Sequence, residues 1–286
     1  MKFAVFTVSL PDYAPDEAVN VLRDCGYDGV EWRVTDEPLP MTGHAKTPGF
    51  WEGNRCTISL KTLVEEAPRI RALTEAAGLA MPSVGTYVSC EDIDQVELAM
   101  CGVQALGAPA LRVRVPNYDG KTPYLKLRDQ AIGMYRDVEA LAKQYGVRAL
   151  VEMHMNNIVP SASASASFMH NFDPRYVGII HDVGNMVYEG YEQYRLGLEV
   201  LGPYLAHVHL KNSKWEITGT RPDGSTEWRA TFAAIPTGIV NMATLFEALA
   251  AVGYDGWMSF EDFSSDQPLA QRTRDNLTYI KQFVAK

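Results

Sequence analysis

Four apolar segments of this sequence each lead to a side chain that can bind a metal ion. The four side chains are Glu152, Asp182, His209 and Glu261. A single acid after an apolar segment is commonly a helix cap or part of an ion pair. A charged group at the end of each of four strands, however, is costly to bury unless it is paired or ligated. Three carboxylates and one imidazole form an oxygen-rich ligand set that suits Mn²⁺, Mg²⁺ or Co²⁺. The pattern therefore predicts one divalent metal ion bound by all four.

Glu152 and His154 are two residues apart, and on an extended strand such residues point to the same face. At a rise of ~3.3 Å per residue, the imidazole stands about 6–7 Å along the strand from the carboxylate. His154 is therefore placed to act as a general acid or base beside the metal. The alternative is that it only orients Glu152 as a ligand. The sequence leaves both interpretations open.

Further charged residues lie at the ends of other apolar segments. Arg112 and Arg114 alternate with valines, so both arginines are expected to face the same interior, where one of them is available to neutralise Glu31. Lys211 follows His209 by two residues and is expected to reach a substrate oxygen. We therefore expect Glu31, Arg112, Arg114 and Lys211 to contribute to substrate binding.

A repeating pattern of short apolar segments and helix-like segments must position these residues. The predicted strands are Phe3–Val8, Gly29–Val34, Ala80–Tyr87, Ala110–Val115, Val147–Met153, Val177–Asp182, Leu205–Leu210 and Gly256–Phe260. The predicted helices are Asp16–Cys25, Leu60–Ala77, Asp92–Leu106, Leu125–Tyr145, Glu189–Leu201 and Met242–Val252. A glycine, the usual left-handed cap, follows each of these helices. Such an alternation indicates βαβ units and a parallel sheet.

Eight such strands in 286 residues predict an α/β fold, a (β/α)8 TIM barrel formed as a single domain by residues 1–286. The alternative, a doubly wound sheet, calls for a glycine-rich phosphate-binding turn after the first strand, and Thr7–Pro11 is not one. In a barrel, the side chains that do chemistry lie at the C-terminal ends of the strands. His207 is then predicted to be hydrogen-bonded inside the barrel, one layer below the ligands, and His181 to face the helices.

Two connections are unusually long. Residues 33–57 carry Trp51, and residues 211–238 carry Trp215. Both follow the C-terminal ends of predicted strands, so both are expected on the catalytic face, where they can form a lid. The Ser–Ala alternation of Ser161–Ser167 predicts the start of a closely packed helix of small residues.

Composition excludes several classes of function. The formal net charge is −9 and the pI is about 5.2, which argues against sequence-independent binding of nucleic acid, because that needs many Lys and Arg contacts to phosphate. No apolar run approaches the ~20 residues that span a membrane. The four cysteines form no CxxC pair, and the start of the chain leads straight into a strand-like segment that is too short for a signal peptide. We therefore expect a cytoplasmic protein with free thiols.

The sequence resembles the sugar isomerase/epimerase superfamily with the xylose-isomerase-like barrel. The motifs that carry the resemblance span the chain, and they are Gly26–Glu31, Val151–Glu152, His181–Asn185, His207–Asn212 and Gly253–Trp257, which leads to Glu261. The resemblance implies a sugar substrate and a divalent ion, often Mn²⁺, held by the four residues named above. In the ketose 3-epimerases of that superfamily, two glutamates face opposite sides of the substrate and exchange its proton. By resemblance, that role falls on Glu152 and Glu261.

Three positions depart from the ketohexose 3-epimerases. Those enzymes have Glu, His and Arg where this chain has Ile158, Asn185 and Trp215, so the groups that hold the open end of a free sugar are missing. The pairing of Glu152 with His154 resembles instead the branches that act on 3-keto-glycosides, which include 3-dehydro-glycoside epimerases and the large subunit of C-glycoside deglycosidases. Endonuclease IV has a similar barrel, but its three-metal site is rich in histidine, and six histidines in an acidic chain argue against it.

The resulting hypothesis is an isomerase or epimerase that removes the proton next to the carbonyl of a keto-sugar and passes through an enediolate. Elimination from the same intermediate is the alternative, as in a lyase or a deglycosidase subunit that cleaves a 3-keto-glycoside. A non-catalytic binding or partner subunit is a second alternative. Trp51 and Trp215 are expected to offer apolar surface to sugar C–H groups. By analogy we expect a homo-oligomer, and a complex with a small subunit remains an alternative.

Overall fold

The computed structural model describes residues 1–36 and 49–284, and it shows a closed parallel barrel surrounded by helices. The strands are β1 (Lys2–Phe6), β2 (Gly29–Val34), β3 (Thr57–Ile58), β4 (Val84–Thr86), β5 (Ala110–Arg112), β6 (Arg148–Glu152), β7 (Val177–Asp182), β8 (Leu205–Leu210), β9 (Asn212–Thr220), β10 (Thr226–Ala233) and β11 (Trp257–Phe260). The helices are α1 (Pro15–Cys25), α2 (Leu63–Ala76), α3 (Ile93–Leu106), α4 (Tyr124–Tyr145), α5 (Ala162–Met169), α6 (Asn185–Tyr188), α7 (Tyr194–Leu201), α8 (Met242–Ala251) and α9 (Leu269–Lys281).

The barrel is formed by eight strands in the ring order β1, β2, β4, β5, β6, β7, β8 and β11. Parallel pairing closes the ring because β1 pairs with β11 on one side, as in Val5 with Phe260, and with β2 on the other, as in Val5 with Val30. The short strand β3 pairs with the end of β2 outside this ring. The prediction of a single-domain (β/α)8 TIM barrel is confirmed.

The element boundaries follow from the sequence to different degrees. The predicted ranges of β2, β7 and β8 are confirmed to the residue. The first strand, in contrast, ends at Phe6, because Thr7–Ser9 turns into a short 3-10 helix. The α1 helix ends at Gly26, whose positive φ of 85° lets its N–H bond back to the carbonyls of the last helical turn.

The hydrophobic core lies mainly between the barrel and the helices, where Trp32, Leu63, Tyr135 and Phe168 are fully buried. Inside the barrel, the Phe6 ring lies at the C-terminal end of β1, close to His209. Gly85 makes room for this ring, since a Cβ at position 85 would lie 2.2 Å from Phe6 Cε2. The ring of Phe6 in turn lies 5.8 Å from the ring of His209, so it supports that side chain from below.

The two long connections differ in what the structure shows. Residues 211–238 are not an irregular loop, because β9 and β10 pair as an antiparallel hairpin. Residues 37–48 of the connection 33–57 lie outside the described residues, whereas Trp51 and β3 lie within them. The helix of small residues is confirmed as α5, with the Ser161 hydroxyl accepting a hydrogen bond from the Ala164 amide at 3.2 Å. Within the described ranges, no helix is long and apolar enough to cross a membrane.

Candidate metal centre and substrate pocket

The four predicted ligands converge at the C-terminal end of the barrel. Glu152, Asp182, His209 and Glu261 each offer one ligand atom, and these atoms all lie within 4.8 Å of one another. His209 Nδ1 lies 3.3 Å from Glu152 Oε1, 3.7 Å from Asp182 Oδ2 and 3.9 Å from Glu261 Oε2. Parallel pairing explains the convergence, because Asp182 is aligned with His209 across β7 and β8. Three buried carboxylates and an imidazole fit a divalent cation.

The opposite edge of the His209 ring contacts a fourth acidic residue. His209 Nε2 lies 3.2 Å from Glu31 Oε2, and Glu31 is completely buried. The sequence places Glu31 in the substrate site, but the structure places it beneath His209, away from the residues that line the pocket. Arg112 does not take up the expected role of neutralising Glu31, because its guanidinium pairs with Glu152.

Two buried cations offset part of the negative charge. Arg112 contacts Glu152 through Nη1 and donates from Nε to the Thr86 carbonyl at 3.0 Å. Lys211 contacts Glu261 and lies 2.8 Å from Asp182 Oδ2, with Asn185 Oδ1 as a further acceptor at 3.0 Å. Lys211 is only 3% exposed, so its ammonium is held against the carboxylate cluster.

Burial and these cations separate the proton affinities of the two glutamates. Burial raises the pKa of Glu261 to about 7 and outweighs the opposing effect of the Lys211 ammonium. Burial also acts to raise the pKa of Glu152, but the Arg112 guanidinium and His209 hold that pKa well below its usual range. The two carboxyl groups therefore differ in proton affinity, and Glu261 is the weaker acid of the two.

A pocket of about 370 Å³ opens above this cluster, and Arg112, Glu152, Lys211 and Glu261 form part of its lining. Aromatic rings form another part, since Trp51, Phe232 and Phe263 pack together with ring centroids 4.8–6.1 Å apart. Further polar side chains in the lining are Arg114, Asn117, His154, Asn156 and Asn157. Apolar rings and convergent amides together suit a small polyhydroxylated molecule.

The loop that follows β6 fixes His154 at the edge of the pocket. The His154 ring lies with Nδ1 2.7 Å from the Met155 carbonyl, which can only accept, so this nitrogen carries the proton. Nε2 is then the ring atom with a lone pair. Asn156 adopts a left-handed φ of 64°, and its backbone N–H donates a hydrogen bond to Glu189 Oε2 at 2.9 Å. A strained residue of this kind beside a pocket is common at functional sites.

The pocket includes Trp51, Arg112, Arg114, His154 and Lys211 from the predicted site residues. Trp215 lies elsewhere. Its indole N–H donates to the Val187 carbonyl at 2.9 Å and it does not line the pocket, because β9 turns it towards α6. His207 is confirmed as a hydrogen-bonded barrel residue, with Nε2 2.8 Å from Ser259 Oγ.

Sequence reasoning missed a further group of lining residues, which are Tyr87, Asn117, Asn156, Asn157, Phe232 and Phe263. Phe263 lies two residues beyond Glu261, and a same-face argument of the kind used for Glu152 and His154 would have placed it beside the pocket. Phe232 lies at the base of the β9–β10 hairpin, and its position depends on a pairing that the sequence analysis did not predict.

The fold and the site together define the class of protein. Residues 19–283 match the family described as "Xylose isomerase-like TIM barrel", so the chain belongs to that family. Among characterised relatives, inosose dehydratase of Geobacillus thermodenitrificans (strain NG80-2) is 29% identical over 129 residues, which are 42% of this chain and 42% of that enzyme. The match thus covers less than half the length of this relative.

Solved structures agree with the fold. The 3-keto-D-glucoside 4-epimerase from E. coli superposes with a TM-score of 0.72 at 17% identity and 99% coverage of both chains. D-psicose 3-epimerase from Clostridium cellulolyticum H10 superposes with a TM-score of 0.72 at 14% identity and full coverage of both chains. A similar barrel from Mycobacterium smegmatis is described in complex with magnesium, with a TM-score of 0.68, 18% identity and coverage of 99% of this chain and 96% of that chain. Another, the IOLI protein, has a bound zinc atom, with a TM-score of 0.70, 13% identity and full coverage of both chains.

Proposed function

We propose that this protein is a divalent-metal-dependent sugar isomerase or epimerase that acts on a keto-sugar. The observation that carries the proposal is the cluster of Glu152, Asp182, His209 and Glu261 at the floor of a pocket lined by aromatic and amide side chains. A divalent ion held by these four residues would act as a Lewis acid and stabilise negative charge on substrate oxygens. The enzymes of known activity that share the fold support a sugar-modifying role.

The two glutamates exchange the proton next to the substrate carbonyl. Glu152 is the base, because Arg112 keeps it ionised. Glu261 is the acid, because it is the second glutamate of the cluster and lines the pocket, where it can return a proton to the substrate. If the proton is removed from one face of the carbon and returned to the opposite face, the configuration of that carbon is inverted. If a proton is instead returned to the neighbouring carbon, the sugar is isomerised. His154, with a free Nε2, moves the proton of an adjacent hydroxyl group.

Within keto-sugars, we favour a 3-keto-glycoside. The amide of Asn185 donates to Glu152 Oε1 at 3.3 Å and to the Met153 carbonyl at 3.2 Å, and its oxygen accepts from Lys211. Ile158 is fully buried. Neither residue is available to hold the open end of a free ketose. The rings of Trp51, Phe232 and Phe263 instead offer a stacking surface to a second ring.

Solvent exchange tests the reaction. The protein, supplied with Mn²⁺, is incubated with free keto-sugars and with 3-keto-glycosides in D₂O, and each recovered sugar is examined by NMR. We expect deuterium at the carbon next to the carbonyl in any substrate that reacts, with an Asp182→Asn variant as the metal-site control. Turnover without solvent deuterium at that carbon would contradict the enediolate route.

A second candidate reaction is elimination. The similarity to inosose dehydratase favours it, and loss of a β-substituent starts from the same enediolate. The same incubations distinguish the two, because dehydration or glycoside cleavage releases water or an aglycone that mass spectrometry detects. Formation of only an isomeric sugar rules out elimination for that substrate.

The accompanying assignments follow from the same proposal. We propose Mn²⁺ as the ion, with Mg²⁺ or Co²⁺ as substitutes, in a cytoplasmic homo-oligomer that acts on a small-molecule sugar. A protein whose barrel serves only as a binding or partner subunit would not need an intact ligand set. Metal analysis after purification in Mn²⁺ distinguishes the metal enzyme from the binding subunit. At ordinary site affinities, fewer than ~0.1 ions per chain would remove the support for a metal enzyme.

A further inference from the structure

Beneath the candidate metal centre, Glu31 joins two histidines. Its Oε2 lies 3.2 Å from His209 Nε2 and 3.3 Å from His207 Nε2. Its Oε1 accepts a hydrogen bond from the Ser83 hydroxyl at 2.8 Å. Glu31 is completely buried, and neither Glu31 nor His207 lines the pocket. These contacts are therefore made for the protein itself rather than for a substrate.

The contact with Glu31 determines which nitrogen of His209 is available for a metal. An ionised carboxylate only accepts hydrogen bonds, so the His209 nitrogen that faces it must carry a proton. That nitrogen is Nε2, and a neutral imidazole then has its lone pair on Nδ1. Nδ1 is the atom that faces Glu152, Asp182 and Glu261.

We propose that Glu31 is a positioning residue for the metal centre, which holds His209 in the Nε2-protonated form and fixes its ring so that Nδ1 binds the ion. The inference rests on the proposed metal site. His207 shares Oε2 with His209 and thereby holds the carboxylate in place between them. Ser83 anchors the other oxygen, and the Phe6 ring supports the His209 ring. Glu31 thus acts on the metal only through His209.

A second metal site is the alternative to this hydrogen-bonded arrangement. Glu31, His207 and His209 offer ligand atoms within 4.8 Å of one another, as such a site would. Hydrogen bonding fits the contacts better. A second ion would require His209 to bind metal through both nitrogens at once, which means losing both ring protons. His207 Nε2 also lies 2.8 Å from Ser259 Oγ, which gives it a second hydrogen-bonding partner.

The test is a measurement of metal affinity in Glu31→Gln, which keeps the shape of the side chain but removes its charge. Mn²⁺ binding is followed by titration calorimetry and by competition with a chelator. Loss of a carboxylate that orients a ligating histidine typically weakens metal binding by ~10–100-fold, and we expect a loss of that size. The visible spectrum of the Co²⁺-loaded variant should also change, because the geometry of the His209 ligand changes.

Glu97→Gln is the matched control, because it makes the same change in an acid on α3 that lies outside the cluster. We expect its affinity to stay within a few-fold of the wild type. An unchanged affinity and Co²⁺ spectrum in Glu31→Gln would overturn the inference, as would a second equivalent of bound metal that disappears in His207→Gln. If the wild type itself binds no divalent ion, the proposed function fails instead.

A wild-type measurement covers the case in which Glu31→Gln does not fold. Nitrogen-15 NMR of the histidine side chains in the Zn²⁺-loaded protein reports which ring nitrogen carries a proton. We expect His209 to carry its proton on Nε2 and to bind the ion through Nδ1. A proton on Nδ1 in the loaded protein contradicts the proposed role of Glu31.

Discussion

At the scale of single residues, Arg112 has the largest influence on the chemistry proposed for Glu152. It is buried beside Glu152, donates to the Thr86 carbonyl and lies over the rings of Phe6 and Tyr87. A planar guanidinium can make these contacts together, whereas a compact ammonium cannot. Arg112 therefore has two separable effects, one on the charge of Glu152 and one on packing beneath the pocket.

We expect Arg112→Met to destabilise the protein by about 3–5 kcal/mol, because removal of one partner leaves a buried carboxylate unpaired. The pKa of Glu152 should rise, since the guanidinium is what holds it low, and the activity of the base should fall at neutral pH. Chemical denaturation and the pH profile of kcat/KM measure the two effects. Arg136→Met, on an exposed arginine of α4 outside the pocket, should change stability by no more than ~0.5 kcal/mol.

A substitution of His154 tests its two proposed roles, which are a general acid or base and a residue that only orients Glu152. We expect His154→Asn to lower kcat by about 10²–10⁴-fold, the usual contribution of a general acid or base, while the metal content stays unchanged. Steady-state kinetics and metal analysis of the same preparation provide the measurement. His170→Asn changes a histidine outside the pocket and should leave kcat unaffected. A variant at position 154 with full activity and full metal content would leave His154 without a catalytic role.

At the scale of elements, the turn between β7 and α6 determines where Lys211 lies. Gly184 is in this turn, and a Cβ there would lie 2.5 Å from Lys211 Cγ and 2.9 Å from the Lys211 carbonyl carbon. Because one of these atoms belongs to the backbone directly after β8, a rotation of the Lys211 side chain alone does not relieve the contact. The absence of a side chain at position 184 thus lets the ammonium of Lys211 reach Asp182 and Glu261.

We expect Gly184→Ala to cost about 1–3 kcal/mol of stability, as overpacking of a well-packed interior usually does. It should also reduce activity, because Lys211 is displaced from the carboxylates. Gly133→Ala is the control, since Gly133 lies within α4 and a Cβ there meets no atom within 4 Å. That change should stabilise the helix by roughly 0.5–1 kcal/mol and leave the activity intact. Thermal unfolding and the assay distinguish the two variants, and equal effects would contradict this account.

The elements also show where sequence reasoning works and where it stops. Helices that end at a glycine, such as α1 at Gly26 and α3 at Gly107, were predictable because the left-handed cap is a local property. The β9–β10 hairpin had a local signature too, with polar and apolar residues alternating over Lys214–Ile217 and a turn-forming Pro222–Gly224. The period-two pattern therefore indicates a hairpin within the connection 211–238, which the sequence analysis did not predict.

At the scale of the whole molecule, the barrel brings together residues that are far apart in sequence. The convergence of Glu152, Asp182, His209 and Glu261 was predictable, because parallel strands end at one face. The pairing of Arg112 with Glu152 instead of Glu31 was not. It depends on which neighbour each buried side chain reaches across the closed ring, and the alternation along a single strand does not determine that. The same limit applies to the position of Glu31 beneath His209.

The closed barrel also connects metal binding to global stability. In the cluster, three carboxylates (Glu152, Asp182 and Glu261) face two buried cations, Arg112 and Lys211. A site that exists only in the folded state stabilises that state by RT ln(1 + [M]/Kd), which is about 2.7 kcal/mol at a hundredfold excess of the ion over Kd. For a domain of this size, such a gain raises the Tm by roughly 4–5 °C.

We therefore expect Mn²⁺ to raise the Tm of the wild type by several degrees and a chelator to reverse the rise. Asp182→Asn should abolish the shift, because it removes one ligand oxygen charge without shortening the side chain. Glu97→Gln, an acid on α3 outside the cluster, should retain the shift in full. Calorimetric scans of the three proteins with and without metal decide the matter. An equal Tm rise in Asp182→Asn would place the stabilising ion somewhere other than the barrel mouth, and the four-ligand assignment would then be wrong.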